Sequence, residues 1–435
     1  MSNDQNPAVS VIVPARNEEA CLALCLESLV SQTGMDFEII VVDDASTDRT
    51  AEIAQSFAVR AAAELQDAEA STTGKGTSFT RADQGFTTDN DGPAVSRALT
   101  PQGGQTVSRN CLALSVVSAS PLPENWTGKN NAMSAGAKIA KGKWLLFTDA
   151  DTVHKPGSLA RAVAEAEKHG AVLLSYSPEQ EVRTFWEKAV MPVIFAELAA
   201  TYPPDKVNDP SSPIAAANGQ YLLISREAYD AVRGHTKIAS DLLEDVAMAR
   251  LMKSSGCKIF FRYGGDAVRT RMYRSWGQMK EGWTKNLALL FAEPTELAYR
   301  RFGEFLLLFA APYSFLRITF SNPLQMPVPA RWVGWYVLLM GTSFCIVSII
   351  TFVEFIARIR RAHSTWASTI LCVPGLPIFA YLLLRSHRAY KQARFDWKDR
   401  SYIYTPEEVR NITQAPARER DSGGWRKVIS WISNG

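Results

Sequence analysis

Cysteine and net charge are the two things this 435-residue chain has little of. Its six cysteines, Cys21, Cys25, Cys111, Cys257, Cys345 and Cys372, are scattered. Cys21 and Cys25 stand one helical turn apart, but no second cysteine or histidine pair completes a metal site, so both are expected to pack in a core. A reduced, cytosol-facing catalytic part follows. The net charge of +3 is too small for a nucleic-acid binder, and no basic patch is interleaved with aromatics, so nucleic acid is not an expected partner. No Gly-x-Gly-x-x-Gly follows the first predicted strand, which argues against a nicotinamide enzyme. Eight polar residues precede that strand and give no signal-peptide pattern.

What is present is an alternation of strand and helix. Val9–Val13 reads as a buried parallel strand ending at Pro14. Leu22, Cys25, Leu26 and Leu29 recur at helical spacing within 18–30, and Phe37–Val42 is a second strand. Ser46 or Thr47 is expected to cap a helix starting near Asp48. This order predicts an α/β fold, Rossmann-like, with a mostly parallel sheet and helices on both faces. Residues 67–108 are rich in Thr, Ser, Gly, Asp and Gln and hold hardly any apolar side chains. They bury too little to offset their ordering entropy and read as a disordered insertion in a surface loop. Order resumes at Cys111–Ser118.

Two acidic clusters follow strands: Asp43-Asp44 after Phe37–Val42, and Asp149-Ala150-Asp151 after Trp144–Phe147. They place negative charge at the carboxyl edge of the sheet, where open α/β folds bind ligands. Asp149 and Asp151 have the spacing to share a hard divalent cation whose other positions go to water and phosphate oxygens. That pairing points to an enzyme handling a nucleotide diphosphate.

Three apolar stretches dominate the C-terminal third. Trp332–Ile356 is long enough to span a bilayer, with Glu354 near its end. Trp366–Leu384 reaches that length but contains Pro374-Gly375-Leu376-Pro377, and Phe302–Phe320 is interrupted by Glu304 and Arg317. Buried core helices are the alternative; tryptophans at the starts of two stretches favour the membrane. Positive-inside counting puts Arg358, Arg360 and Arg361, and the later group Arg385, His387, Arg388, Lys391 and Arg394, in the cytoplasm. The first two stretches then form a spanning hairpin, and the third is re-entrant about its Pro-Gly-Leu-Pro centre. The expected organisation is a catalytic domain over 1–300, a membrane region over 301–400 and a polar tail over 401–435. In that tail Trp425, Val428, Ile429 and Ile432 share one helical face. The expected location is the inner (plasma) membrane, with the catalytic domain cytoplasmic.

Val11-Ile12-Val13-Pro14-Ala15-Arg16-Asn17-Glu18, Val41-Val42-Asp43-Asp44-Ala45-Ser46-Thr47-Asp48, Asp149-Ala150-Asp151 and Leu243-Glu244-Asp245 occur in this order over about 240 residues. Together they resemble family 2 of the nucleotide-sugar-dependent glycosyltransferases, which have the GT-A fold. The segment Pro121–Ala132, with Trp126-Thr127-Gly128-Lys129 at its centre, is similar to the hopene-associated and carotenoid-type members, membrane-attached enzymes acting on polyisoprenoid or other lipid acceptors. The polar insertion departs from that pattern.

The resemblance implies roles. Pro14, Asn17 and Glu18 would hold the nucleoside, and Asp44 would accept a hydrogen bond from the uracil imide or a ribose hydroxyl. Lys129 would reach the diphosphate as a point charge, a solvated lysine being the alternative. Asp151 is the expected ligand of Mg²⁺ or Mn²⁺, and Asp149 a ribose or second metal contact. Asp245 is the candidate general base; an acid that merely favours a helix start is the alternative. Asn218, Gly219 and Gln220 are expected between donor and acceptor, and Trp283 either stacks on the acceptor or packs the domain. Gly282 replaces the arginine of the Gln-x-x-Arg-Trp carried by chain-extending relatives, so transfer of a single sugar is favoured. The expected reaction is inverting transfer from a UDP-type donor to a hydroxyl or carboxyl of a membrane lipid such as a hopanoid or carotenoid. The alternatives are a transferase of exopolysaccharide or lipid-linked glycan synthesis and a non-catalytic nucleotide-sugar sensor. A nucleotidyltransferase lacks support, because no glycine-rich basic loop follows the first strand.

Overall fold

The computed structural model describes residues 6–72, 107–108, 110–119, 121–320, 328–363, 369, 371–392, 394–397 and 400–403. The chain begins β1 (Val9–Ala15), α1 (Leu22–Val30), β2 (Phe37–Asp43), α2 (Thr50–Thr72), β3 (Cys111–Ser118), α3 (Gly128–Ile139) and β4 (Trp144–Phe147). It continues through β5 (Thr152–His154), α4 (Ser158–His169), β6 (Leu173–Ser177), β7 (Glu179–Gln180), α5 (Phe185–Thr201), α6 (Pro204–Asn208) and β8 (Leu222–Ser225). Then come α7 (Arg226–Ala231), α8 (Gly234–Lys237), α9 (Glu244–Ser254), β9 (Ile259–Tyr263), β10 (Val268–Thr270) and α10 (Trp276–Leu290). The chain closes with α11 (Pro294–Phe320), α12 (Val328–Arg360), α13 (Gly375–Lys391) and a hairpin, β11 (Arg394–Trp397) and β12 (Arg400–Ile403).

Seven strands form the main sheet in the order β3-β2-β1-β4-β8-β6-β9. Within it β8 alone runs against its neighbours, and the remaining pairs are parallel. Strand side chains alternate between faces, which explains why β1 is apolar almost throughout. Val11 and Val13 join Leu22, Leu26 and Leu29 of α1 on one face. Ile12 joins Ala132, Met133 and Ala137 of α3 on the other. A small second sheet, β5-β10-β7, lies beside it. The expected α/β sheet is therefore observed. Because β2 and β3 continue on one side of β1 while β4 starts on the other, strand order reverses between β1 and β4, the position where such sheets bind ligands.

Two expectations change in detail. Asp48, not Ser46 or Thr47, receives the first amide of α2, its Oδ1 accepting from Thr50 N–H at 3.0 Å. Ser46 and Thr47 instead stitch this loop to the one after β1: Asn17 N–H donates to Ser46 Oγ at 3.1 Å and Thr47 N–H to Asn17 Oδ1 at 2.9 Å. Helix α2 runs to Thr72 and takes in the first residues of the expected insertion; 73–106 lie outside the described residues, as does the tail over 404–435.

The third apolar stretch differs more. Pro374 sits at the N-terminus of α13 rather than at the centre of a re-entrant turn, where a missing N–H costs nothing. Leu376, Phe379, Leu382 and Leu383 of α13 are fully buried, and the helix packs on α5, α10 and α11. Ser386 fastens it to α10, donating to Thr284 O at 2.6 Å and accepting from Ala288 N–H at 2.9 Å. On α5, Pro192 has no N–H for Lys188 O, and the buried Cys372 thiol donates to that carbonyl instead, at 3.5 Å.

Helices α11 and α12 pack against each other. Among the described residues one segment is long and apolar enough to cross a membrane, Leu339–Arg360, with mean hydropathy 2.0. Much of it faces outward: Leu339 is 65% exposed, Ile349 63% and Val353 60%. Four charges join the hairpin to the catalytic domain. Arg301 meets Glu197 at 2.9 Å and Glu304 at 2.7 Å, and Arg358 meets the same two acids at 3.1 and 2.7 Å.

Gly375 is where α13 touches α5: a Cβ built there would lie 1.9 Å from Ala189 O, a backbone atom that cannot swing aside. Gly375→Ala is therefore expected to destabilise the protein by about 1–3 kcal/mol. Thermal unfolding in detergent reads this directly, and an unchanged midpoint would rule out the docking of α13 on α5.

Candidate active site

The loops after β1, β2 and β4 meet at the carboxyl edge of the sheet, and the turn before β8 joins them because that strand is reversed. They enclose a cavity of about 1140 Å³. All the sequence-predicted site residues line it: Pro14, Asn17, Glu18, Asp44, Lys129, Asp149, Asp151, Asn218, Gly219, Gln220, Asp245 and Trp283.

The loop after β1 is held by backbone geometry and by its neighbour. Asn17 takes φ 53°, a left-handed conformation that asparagine tolerates better than most residues. Arg16 Nη1 donates to Asp44 O at 2.7 Å, and Glu18 N–H to Thr50 Oγ1 at 2.7 Å. The Asn17 side chain is thus engaged in joining the two loops, and Asp44 is 6% exposed. Asp43 serves the turn, accepting from Ser46 N–H at 3.4 Å.

Lys129 stands in the first turn of α3, where Thr127 Oγ1 caps the helix by accepting from Asn130 N–H at 3.2 Å. Its ammonium lies 2.7 Å from Asp149 Oδ1 and 2.6 Å from Glu244 Oε1. Burial opposes the charge on Lys129, but the two carboxylates overcome it and hold its pKa well above the usual lysine range. Glu244 is 5% exposed. Burial opposes its ionisation too, yet Lys129, with Lys285 beyond, keeps its carboxyl below the usual range. In this state Lys129 is an internal counter-ion rather than a solvated lysine.

The turn Asn218–Gln220 orients Asp245. Asn218 N–H donates to Ser175 Oγ at 2.7 Å, and Asn218 Oδ1 accepts from Gln220 N–H at 2.9 Å. Between them Gly219 N–H donates to Asp245 Oδ2 at 2.9 Å, and Asp245 Oδ1 accepts from Val246 N–H at 2.8 Å. An added Cβ at Gly219 would lie 3.1 Å from Glu244 Oε1 and 3.3 Å from Lys129 Nζ, so both side chains would have to give by a few tenths of an ångström. Desolvation first, and the neighbouring Glu244 charge second, push the Asp245 pKa up to about 6. Gln220 is nearly buried and donates from Nε2 to Thr270 Oγ1 at 3.2 Å, so it supports the turn. Trp283 is 2% exposed and packs edge-on to Tyr273 and Phe195. These are packing contacts within the fold, and the same residue also borders the cavity.

Two cavity residues were missed. Glu244, quoted beside Asp245, was assigned no role, because adjacent acids look alike until their partners are known. Lys285 reaches the cavity from α10; burial and Lys129 hold its ammonium below the usual lysine range, against the pull of Glu244 and Asp245. A signal existed, since Gln278, Glu281 and Lys285 follow a helical i, i+3, i+7 stripe and all line the cavity.

Among the described residues no three metal-ligating side chains cluster. The two carboxylates expected to hold a divalent cation, Asp151 and Asp149, both line the cavity, and Lys129 balances the charge of Asp149. That set fits a hard cation that takes its remaining ligands from a diphosphate and water.

The mostly parallel α/β sheet with an acid-lined cavity at its strand-order reversal agrees with the fold class expected from the sequence. Residues 10–65 and 117–233 match the family described as Glycosyl transferase family 2. The match omits 66–116, which holds the polar insertion, and ends before Asp245 and Trp283. Two similar relatives are 4,4'-diaponeurosporenoate glycosyltransferases. The one from Staphylococcus haemolyticus is 25% identical over 292 residues, 65% of this chain and 61% of that protein. The one from Staphylococcus aureus (strain USA300) is 24% identical over 294 residues, 66% of this chain and 62% of that protein. The chain thus spans less than two thirds of the length of these relatives. Among solved structures, a mannosyltransferase from Pyrobaculum calidifontis in complex with GDP-Man and Mn²⁺ aligns with a TM-score of 0.40 and 14% identity, over 89% of this chain and 87% of that one. A glucosyl-3-phosphoglycerate synthase from Mycobacterium tuberculosis with Mn²⁺ and UDP-Glc gives 0.36 and 16%, over 65% and 77%. Both likenesses are too distant to carry ligand or mechanism.

Removing the Lys129 ammonium leaves Glu244 nearly buried without its counter-charge. Lys129→Met is expected to destabilise the protein by about 1–3 kcal/mol, and the Lys129→Met/Glu244→Gln pair by clearly less than the sum of the two single changes. Additive losses in a denaturant-unfolding cycle would mean that the pair does not form.

Proposed function

We propose that this chain transfers one sugar from a nucleotide-diphosphate donor, uridine-based, to a hydroxyl or carboxyl of a polyisoprenoid-type membrane lipid, by a single inverting displacement. The observation that carries this reading is the convergence of Asp149, Asp151 and an oriented Asp245 on one cavity of a glycosyltransferase family 2 domain. Pro14, Glu18 and Asp44 bind the nucleoside end. Asp151, with Asp149, would hold a divalent cation, Mg²⁺ or Mn²⁺, which when bound supplies Lewis-acid neutralisation of the diphosphate. Lys129 lies within the same cavity and offers its ammonium to the leaving phosphate oxygens once Asp149 no longer needs it.

Asp245 takes the proton of the acceptor hydroxyl as the new bond to the sugar forms. Gly219 N–H and Val246 N–H fix the direction of its carboxylate, and its raised pKa places it close to the operating pH, where a base is most effective. A carboxyl acceptor, already ionised at neutral pH, needs no such base, and Asp245 would then serve only to position it.

The acceptor class rests on two supports. The similar relatives are named for a carotenoid acid, and α12 exposes an apolar surface along Leu339–Val353. With Arg358, Arg360 and Arg361 at the end of that helix, the catalytic domain belongs on the cytoplasmic side of the inner membrane.

Purified protein in detergent with Mn²⁺, given uridine, guanosine and thymidine diphosphate sugars with and without extracted lipids, should release nucleoside diphosphate from one donor, stimulated by lipid and abolished by Asp151→Ala. For a hydroxyl acceptor, Asp245→Asn should lower turnover by about 10²–10⁴. Activity should also fall about tenfold per pH unit below the Asp245 pKa of about 6, as the base becomes protonated. Nucleotide binding without release from any donor would favour the sensor instead.

A further inference from the structure

The cavity joins two chemistries. Beside its carboxylates it is walled by one stripe of α5: Met191, Phe195 and Leu198, with Tyr202 one turn further, follow i, i+4, i+7, i+11 spacing and all line it. At 1.5 Å per residue this wall is roughly 16 Å long. The volume of about 1140 Å³ exceeds the roughly 300–1,000 Å³ usual for one small ligand, which leaves room beside a nucleotide sugar. Tyr202 OH donates to Leu290 O at 2.8 Å, tying the far end of the stripe to α10.

The same cavity reaches the membrane hairpin. Arg361, Ala362 and His363, the first residues after α12, line it. The His363 ring stacks on Tyr263, centroids 3.8 Å apart and planes 8° from parallel, and Tyr263 lines the cavity too. One residue before Leu198, Glu197 pairs with Arg358 in the last turn of α12 at 3.1 Å. The apolar stripe is thus anchored where the exposed apolar helix ends and its basic residues begin, the level at which bilayer hydrocarbon gives way to headgroups.

Resting on the transferase reading above, we propose that the α5 stripe is an acceptor-chain subsite. It takes a single extended hydrocarbon chain along Met191, Phe195, Leu198 and Tyr202, entering from the bilayer beside Arg361–His363 with its polar end toward Asp245. A nucleobase would leave most of such a wall unsatisfied, whereas each buried methylene gains about 0.8 kcal/mol, close to fourfold in affinity.

The test uses the full chain in nanodiscs and a long-chain alcohol carrying a diazirine at its apolar end, with cross-linked residues mapped by mass spectrometry. Labelling is expected on α5 within 191–202, displaced by unlabelled octadecanol at least tenfold more effectively than by octanol. Leu198→Trp, which fills the stripe, should reduce the labelling at least tenfold, and Leu198→Met should retain it. Labelling confined to α12, or competition independent of chain length, would overturn the subsite; the wild-type result decides this even if a variant fails to fold. Nucleotide release measured in the same preparations separates the two claims. Chain-dependent labelling of α5 without sugar transfer would sink the transferase reading and leave the subsite, while transfer with label elsewhere would sink the subsite alone.

Discussion

An acid-lined cavity can close in a folded protein only if its charges are balanced, and here Lys129 provides that balance. It reaches Asp149 twenty residues ahead in the chain and Glu244 on a different helix, bringing α3, the end of β4 and α9 to one point. Asp149 and Glu244 hold Lys129 in its charged form, and Lys129 in turn favours the ionised Glu244, although burial opposes ionisation of both Lys129 and Glu244. The position of Asp245 depends on this arrangement, since it sits beside Glu244 and shares the Gly219 turn with Lys129. A pairing of this kind contributes little net stability when buried, but removing one member exposes the cost of the others. Its main effect is to hold the site's parts in register.

Strand-end acids were legible because a parallel strand buried on both faces reads as an unbroken apolar run, so its first carboxylates mark the edge. That logic located Asp44, Asp149 and Asp151, whereas the two acids at 244–245 stood out through the family resemblance. The sequence could not say which of Glu244 and Asp245 would face an ammonium and which the turn before β8, because Lys129 and Gly219 lie more than twenty positions away. Lys285 carried a signal in its stripe with Gln278 and Glu281, but helical spacing alone does not say whether a stripe faces a cavity, a neighbouring helix or water. Asn17 shows the converse: its place in the loop was readable, but the use of its side chain in joining that loop to Thr47 was not.

The same limit applies to the apolar stretches. Trp332–Ile356 and Trp366–Leu384 have comparable length and hydrophobicity, yet one presents its apolar surface outward and the other buries Leu376, Phe379 and Leu382 against the catalytic domain. Hydropathy reports how much apolar surface must leave water, not whether lipid or protein receives it. Pro374 and Gly375 were the informative residues, read as a turn but used as a helix start and a close contact.

The four charges Glu197, Arg301, Glu304 and Arg358 sum to zero and are each at most 15% exposed. Salt in solution screens such a group far less than it screens surface pairs. The joint is therefore stiff with respect to ionic strength. On the proposed membrane placement, a domain fixed to its hairpin in this way would explore the bilayer by sliding and turning in the plane rather than by tilting away from it. Encounters with a lipid would then become a two-dimensional search, whose rate follows the lateral density of the lipid rather than its bulk concentration.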